Sequence, residues 1–231
     1  MMSALSDPAV WNIVMLSLRV SIAAMLVSLP LAIIIGKILA GPEFRGKAVL
    51  SALVHLPLVL PPVVTGYALL VVFGRKGWIG AGLDQLGINF TFSWAGAALA
   101  AAVMAFPLIV RPIRLAFESQ DSRLQEMAAT LGAKRATRFF KITLPLAWPG
   151  IVAGLVLGFA KALGEFGATI TFVSNIPGQT QTLSLAIYTL LQSPRGDSAA
   201  LTLITLSILL SFAAILISEW MTSSSRKKME R

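Results

Sequence analysis

The sequence contains no cysteine, a single histidine and few charged residues, and each shortage excludes a class of chemistry. Without cysteine there are no disulfide bonds, thiolate nucleophiles or Cys-ligated zinc sites. One histidine, His55, gives no basis for a histidine-rich metal site. Only 13% of the 231 residues are charged, about half the ~25% of an average soluble protein. With 56% hydrophobic residues and a mean hydropathy of +0.81, the chain is predicted to be solvated by lipid.

The hydrophobic residues are grouped in five stretches that are each long enough to cross a membrane. A spanning helix needs roughly 20 largely apolar residues. The sequence therefore predicts an all-α, multi-pass membrane protein with a single transmembrane domain over residues 1–231. The expected spans are residues 14–36, 48–73, 92–113, 148–173 and 200–222. Because five is an odd number, the two termini are expected on opposite sides of the membrane.

The charges between these stretches predict the orientation. Segments 37–47, 111–141 and 219–231 hold three, seven and four Lys and Arg residues, 14 of the 19 in the chain. The N-terminus and segments 74–91 and 174–199 together have no net charge. Because Lys and Arg concentrate in cytoplasmic loops, the N-terminus is predicted outside and the C-terminus in the cytoplasm. The net charge of +9 then reflects topology, and no nucleic-acid partner is expected.

A short apolar segment lies in the last loop on the predicted outer side. Residues 182–192, TLSLAIYTLLQ, have a helical composition but number only 11. A helix of that length cannot cross a bilayer. The segment is therefore predicted to be a re-entrant or interfacial helix.

The loop between the third and fourth spans, residues 114–147, contains the pattern of a short amphipathic helix. Asp121 or Ser122 can cap its beginning, and Gly132 is placed to end it. Its apolar residues follow helical spacing: Leu124, Met127, Ala128 and Leu131. A solvated helix that lies on the lipid headgroups is the simpler alternative.

This loop resembles the EAA loop of ABC importer permeases, whose pattern is E-A-A-x3-G-x9-I-x-L-P. The matching residues are Glu126, Ala128, Gly132, Ile142, Leu144 and Pro145. Met127 departs from the pattern, because it stands where the family has its first Ala. In that family the helix sits in a groove of a separate cytoplasmic ATPase and transmits nucleotide-driven closure to the spans. The resemblance implies that these residues, with Leu124 and Leu131, couple the chain to such an ATPase.

Three prolines interrupt the second predicted span. Pro57, Pro61 and Pro62 lack backbone donors and so leave carbonyl groups without helical partners. Such carbonyls are tolerated in a bilayer only where protein or a water-filled cavity satisfies them. A packing kink and the lining of a pathway are both consistent with this, and Thr65 and Gly66 beside the break favour the pathway.

The fourth predicted span combines small residues with an intramembrane charge pair. Gly150, Gly154 and Gly158 form two consecutive G-x-x-x-G steps, which predict close packing against another helix. Lys161 and Glu165 are i, i+4 partners, and both are costly in lipid unless they are paired or hydrated. Either the two charges neutralise each other and fix helix packing, or they lie beside a translocation path or its gate.

Two longer runs extend the resemblance to nearly the whole chain. HLPLVLPPVVTGYALL (55–70) and KALGEFGATITFVSNIPGQTQTLSLAIYTLL (161–191) resemble the molybdate permeases of bacterial ABC importers and the related sulfate and tungstate permeases. The resemblance implies a type I importer permease fold, a homodimer in the inner membrane, a homodimeric ATP-binding protein below it and a periplasmic oxyanion-binding protein above it. It also implies that ATP and Mg²⁺ are held by the ATPase, and that this subunit has no cofactor, metal or catalytic residue. Molybdate is the expected substrate, with tungstate or sulfate as alternatives.

Function classes outside this family fit the sequence less well. A secondary transporter usually has more spans, arranged as internal repeats. A channel would need a selectivity-filter segment, which is not visible. The segment GPEFRGKA (41–48) nearly matches a phosphate-binding loop, but Ala48 cannot ligate Mg²⁺ and no strand precedes it.

Overall fold

The computed structural model describes residues 8–194 and 196–229, and the side chains of that part as far as residue 216. No β-strand occurs in the described part, which confirms the all-α class. The α-helices in chain order are α1 (Pro8–Ala40), α2 (Lys47–Val59), α3 (Pro62–Phe73), α4 (Gly80–Gln85), α5 (Trp94–Glu118), α6 (Ser122–Thr130), α7 (Arg135–Arg138), α8 (Leu144–Leu146), α9 (Trp148–Leu163), α10 (Gly167–Val173), α11 (Leu183–Leu191) and α12 (Asp197–Met229). A π-helical turn, Phe139–Thr143, joins α7 to α8.

Three to five membrane spans are available in the described residues. Helices α1, α5 and α12 are each long and apolar enough to cross a bilayer. Two bent helix pairs, α2 with α3 and Arg135–Leu146 with α9, raise the total to five if each counts as one span. Large apolar side chains such as Leu26 and Leu201 are exposed on the outer helices, which suits a lipid-facing surface.

Helix α5 forms the centre of the bundle because its small side chains let neighbouring helices approach closely. Its first half is rich in alanine, and Ala97, Ala100 and Ala105 are fully buried. Helix α1 packs parallel to it, with Gly36 against Ile113. Helices α9 and α10 also pack against α5. Because neighbouring helices contact α5 on several sides, few of its large apolar side chains are exposed.

The bundle has two distinct ends. At the N-terminal end, where α1 and α5 begin, the Arg19 guanidinium lies 3.8 Å from the Trp94 ring centroid. Helix α11 packs there, because the Leu183 N–H donates to Ser17 Oγ of α1 at 2.7 Å. At the opposite end, named the loop end, α1 finishes at Ala40 and residues 119–147 connect α5 to α9.

Two internal breaks divide the expected spans, and the first lies at the prolines that were expected to interrupt the second span. Residues 48–73 are divided at Leu60 and Pro61, where α2 and α3 meet at a bend of 117°. Pro61 and Pro62 cannot donate to preceding carbonyls, which ends the first helix. Residues 148–173 are not one helix either, because α9 ends at Leu163 and α10 begins at Gly167.

The loop expected at residues 114–147 is also shorter than predicted. Helix α5 continues through Glu118, stabilised by an ion pair of 2.7 Å between Arg114 Nε and Glu118 Oε1. Arg111 and Arg114 were counted as loop charges, yet both lie on this helix. An i, i+4 salt bridge of this kind extends a helix beyond its apolar section.

Candidate functional site

The short helix expected in the loop is α6, and both of its ends have specific caps. The Asp121 carboxylate accepts a hydrogen bond of 2.9 Å from the Arg123 N–H. After the helix, Gly132 adopts a left-handed conformation with φ of 80°, which most other residues adopt at a cost. The two caps determine where α6 begins and ends, and both are formed by residues of this chain.

Helix α6 presents an apolar surface that the described part of the chain leaves uncovered. Leu124, Met127 and Leu131 are 45%, 63% and 87% exposed. Ala128 is half-buried, and Glu126 is exposed. Two large exposed apolar side chains on a short helix, with a third at its C-cap, are typical of a docking surface.

One hydrogen bond attaches α6 to the segment that enters α9, and a second attaches the link between α5 and α6 to the same segment. Arg138 Nη1 donates to the Gln125 carbonyl at 3.2 Å, and Gln120 Nε2 donates to the Thr143 carbonyl at 2.8 Å. The remaining residues of the resemblance lie along this segment, where Ile142 and Leu144 are half-buried and Pro145 is exposed. The segment meets α9 at a bend of 64°. A displacement of α6 therefore reaches the segment before α9 through the contact between Gln125 and Arg138.

Gly150, Gly154 and Gly158 lie along the contact between α9 and α5. A Cβ atom at Gly150 would lie 2.4 Å from Ala116 Cβ, and one at Gly154 would lie 2.7 Å from the Ile109 carbonyl oxygen. At Gly158 the nearest atom would be Ile109 Cγ1 at 2.4 Å. These distances are too short for a side chain, so the three positions permit the close approach of the two helices.

Gly154→Ala is expected to destabilise the purified protein by about 1–3 kcal/mol, because the added methyl group overpacks this contact. The opposing atom belongs to the backbone of α5, so one helix must move. Thermal unfolding in detergent measures the loss. Gly82→Ala in α4 is the matched control, since no atom lies within 4 Å of its added Cβ. Equal unfolding temperatures for the two variants would contradict this account of the contact.

The two helix breaks lie next to each other. Helices α3 and α10 pack side by side, with Pro62 against Gly167 and Gly66 against the Ala168 carbonyl. Pro61 is exposed at the break, and Thr65 is buried one turn further along α3. Within the described residues, the Thr65 hydroxyl has no hydrogen-bond partner. The structure thus brings together two of the regions singled out from the sequence.

A buried carboxylate occupies the break between α9 and α10. Glu165 Oε2 accepts from Lys161 Nζ at 2.6 Å, and Oε1 accepts from the Ala168 N–H at 3.1 Å. The Glu165 side chain is 1% exposed, whereas that of Lys161 is 30% exposed. A carboxylate at the start of α10 also interacts favourably with the helix dipole. The pair leaves one face of the ammonium group accessible.

Three other features bear on what the site can bind. A cavity of about 500 Å³ between α1 and α9 is lined by apolar side chains such as Leu26 and Phe159, which offer no group for an anion. The described residues contain no cluster of three or more His, Asp or Glu side chains that could hold a metal ion. In the segment that resembles a phosphate-binding loop, Lys47 Nζ contacts the Gly41 carbonyl and Glu43 instead.

Sequence reasoning missed one polar cavity at the N-terminal end. It has a volume of about 520 Å³ and is lined by Arg75, Lys76 and Trp78 from the segment after α3, together with Thr91 and Phe92. Both basic residues are exposed, and Trp78 is 87% exposed. The adjacent cationic residues were visible in the sequence, but nothing there indicated that Thr91 and Phe92 would face them.

Comparison with protein families gives a match over most of the chain. Residues 28–227 match the family described as "Binding-protein-dependent transport system inner membrane component". The chain is 57% identical to the "Molybdenum transport system permease protein ModB" of Escherichia coli (strain K12), over 98% of this chain and 99% of that protein. It is 54% identical to the protein of the same name from Haemophilus influenzae, over 93% and 94% of the two chains. The "Sulfate transport system permease protein CysT" of Salmonella typhimurium is 37% identical, over 76% and 65%.

Solved structures with similar folds come from more distant proteins. One is a bacterial alginate ABC transporter in complex with a periplasmic protein that carries an alginate pentasaccharide. A chain of that structure has a TM-score of 0.75 and 19% identity, with 96% of this chain and 81% of that chain covered. A chain of the MetNI methionine ABC transporter in an inward-facing conformation has a TM-score of 0.70 and 17% identity, with 94% of each chain covered. At these identities the likeness concerns the fold.

Proposed function

The chain belongs to the family of binding-protein-dependent transport system inner membrane components, and we propose that it is the permease subunit of an ATP-driven importer for molybdate. It is a multi-pass protein of the bacterial inner membrane and a transport subunit. The observation that supports molybdate as the substrate is the near-full-length similarity to two molybdenum permeases. The uncovered apolar surface of α6 supports an ATP-driven mechanism, because it supplies a place for a second protein.

We propose that the loop end faces the cytoplasm and the N-terminal end faces the periplasm, in a type I importer fold. The excess of Lys and Arg near the loop end supports this orientation. The N-terminus then lies outside and the C-terminus inside. Helix α11 belongs to the periplasmic side as an interfacial or re-entrant element, since it packs against the beginning of α1.

The partners follow from this orientation. A homodimer of the chain is proposed to sit on a homodimeric cytoplasmic ATPase, which alone holds ATP and Mg²⁺. The contact uses the apolar surface of α6 together with Glu126, Gly132 and the segment from Ile142 to Pro145. On the periplasmic side, the cavity with Arg75 and Lys76 faces an oxyanion-binding protein. The similar alginate transporter was solved with a periplasmic protein bound.

Alternating access then depends on how α6 is linked to the helix breaks. ATP-driven movement of α6 is transmitted through Arg138, and that of the link before α6 through Gln120, to the helical segment before α9. Close packing along the three glycines makes α9 and α5 move together. At its far end α9 reaches Glu165, beside Pro61, Pro62 and Thr65. These residues and Lys161 are proposed to line the path or its gate.

The charge at the proposed gate favours weak, transient binding of an anion over tight binding. Lys161 can attract an oxyanion with its exposed face, while Glu165 offsets much of its charge. An anion would consequently bind there weakly and leave quickly. Selection among anions is expected to rest with the periplasmic binding protein, with no catalytic step in this subunit.

Sulfate is the second candidate substrate, because a sulfate permease is 37% identical over 76% of the chain. Tungstate is the third, since it is also a tetrahedral dianion. The test is the ATPase rate of the reconstituted complex with binding protein loaded with each anion in turn. Molybdate-loaded binding protein is expected to stimulate hydrolysis several-fold. Stimulation by the sulfate-loaded protein alone would assign the importer to sulfate.

A further inference from the structure

A second polar cavity lies at the loop end, between α2 and α5. It has a volume of about 330 Å³. Helix α2 contributes Ser51 and His55, which are one turn apart, and α5 contributes a single stripe of residues. That stripe follows i, i+3, i+4, i+7 spacing and consists of Arg111, Arg114, Leu115 and Glu118. Since one water occupies about 30 Å³ of liquid volume, the cavity has room for a small hydrated anion.

The charges in this cavity are unbalanced. Arg114 is neutralised by Glu118, at 2.7 Å between Nε and Oε1. Arg111 is exposed, and no carboxylate of the described residues lies within ion-pair distance of it. The His55 ring is held by a contact of 2.7 Å between Nδ1 and the Ser51 carbonyl. The cavity therefore contains an excess positive charge on a guanidinium group with its donors available.

Arg111 lies seven residues before the end of α5 at Glu118, which corresponds to about 10 Å along the helix. It is therefore located where the apolar section of α5 meets the ion-paired end of the helix. A guanidinium at the edge of an apolar section is favoured where water or an anion reaches it. Neither the coupling surface of α6 nor the break at Glu165 includes it. The unpaired guanidinium of Arg111 is therefore suited to bind a negatively charged ligand.

We propose that Arg111, with Arg114 and the α2 face at Ser51 and His55, forms a binding site for a tetrahedral oxyanion. Guanidinium groups bind such anions through two parallel N–H donors. Glu118 keeps the site from becoming strongly cationic, so binding is weak and reversible. The ligand is either the transported oxyanion as it leaves, which rests on the proposed function, or the phosphate group of an anionic lipid.

The experiment uses the complete transporter in nanodiscs without nucleotide or binding protein. In phosphatidylcholine nanodiscs, binding of radiolabelled molybdate is measured; in a second set, retention of phosphatidylglycerol is measured by native mass spectrometry. Arg111→Gln is expected to weaken at least one of the two by about tenfold or more. Arg111→Lys keeps the charge but loses the paired donors, and is expected to fall between wild type and Arg111→Gln.

Arg45→Gln is the matched control, because Arg45 is an exposed arginine at the same end but outside the cavity. It is expected to bind both ligands like the wild type. Loss of molybdate binding in Arg111→Gln identifies the substrate as ligand, and loss of phosphatidylglycerol identifies the lipid. If both ligands bind Arg111→Gln and Arg111→Lys as they bind the wild type, the site does not exist. Binding of phosphatidylglycerol at Arg111 does not require that the importer carries molybdate. Failure of the proposed function and failure of the proposed site are therefore distinguishable.

Discussion

Replacement of Glu165 by Ala is expected to abolish oxyanion uptake and to lower the unfolding temperature of the complex. The substitution leaves Lys161 without its partner and the Ala168 N–H without its acceptor. Removal of one member of a buried ion pair costs about 3–5 kcal/mol, and the lower value is expected here. The reason is that Lys161 is 30% exposed, so water compensates part of the loss. Uptake in vesicles and thermal unfolding measure the two effects.

A double variant that removes both charges separates the two roles proposed for the pair, which are helix packing and attraction of the anion. Lys161→Met combined with Glu165→Gln removes both charges while Gln can still accept from the Ala168 N–H. If the pair only fixes packing, the double variant recovers both stability and uptake. The proposed gate predicts recovery of stability with uptake at least tenfold below wild type, because the accessible cation is gone. Full recovery of uptake would remove Lys161 from the path.

Leu131→Asp is expected to abolish uptake without destabilising the isolated subunit. The side chain is 87% exposed, so an aspartate there disturbs no internal contact. In the complex, however, a charge would be buried in an apolar interface, which is strongly unfavourable. Co-purification with the ATPase should fall at least tenfold, while the unfolding temperature of the isolated chain stays within experimental error.

Ala129→Asp introduces the same charge two residues earlier, on the opposite side of α6. Ala129 is exposed and does not belong to the apolar surface. In this control, most of the co-purification with the ATPase and most of the uptake should be retained. Normal ATPase binding by Leu131→Asp would contradict the docking surface, and equal losses in both variants would show only that α6 tolerates no added charge.

Hydropathy and periodicity were sufficient for the features set by local composition. The helix expected near Asp121 and ending at Gly132 was found as α6, because capping and spacing act within one turn. The short helix expected at residues 182–192 was found as α11. Three long helices and two bent pairs allow up to five spans, but the second bent pair covers residues 135–163, whereas the expected fourth span was 148–173. These elements depend little on distant parts of the chain.

The break between α9 and α10 was harder to predict because it depends on tertiary contacts. Residues 148–173 are continuously apolar apart from the charge pair, so hydropathy gave one span. The structure breaks this span beside Gly164 and Gly167 and places Glu165 in the gap, where its carboxylate accepts from the Ala168 N–H of α10. Gly167 also accommodates Pro62 of α3. Two glycines around a carboxylate were the available signal, but its partner helix was not visible in the sequence.

The cavity with Arg111 was missed for a different reason. Arg111 and Arg114 were counted with the loop charges of segment 111–141, although the expected span extended to residue 113. An i, i+3, i+4, i+7 stripe from Arg111 to Glu118 was already present, and its ion pair extends α5. The stripe faces His55 because α2 packs against α5, a contact between distant parts of the chain that no local pattern specifies.

The most direct test of the importer assignment is uptake of radiolabelled molybdate into vesicles that contain the purified chain with or without its ATPase. Binding protein is added outside, and ATP and Mg²⁺ are enclosed with the cytoplasmic face. Accumulation is predicted only when the ATPase, ATP and the binding protein are all present, and it should be lost in Leu131→Asp. Accumulation of molybdate by the chain alone, without ATPase or ATP, would contradict the account and indicate a secondary transporter or channel.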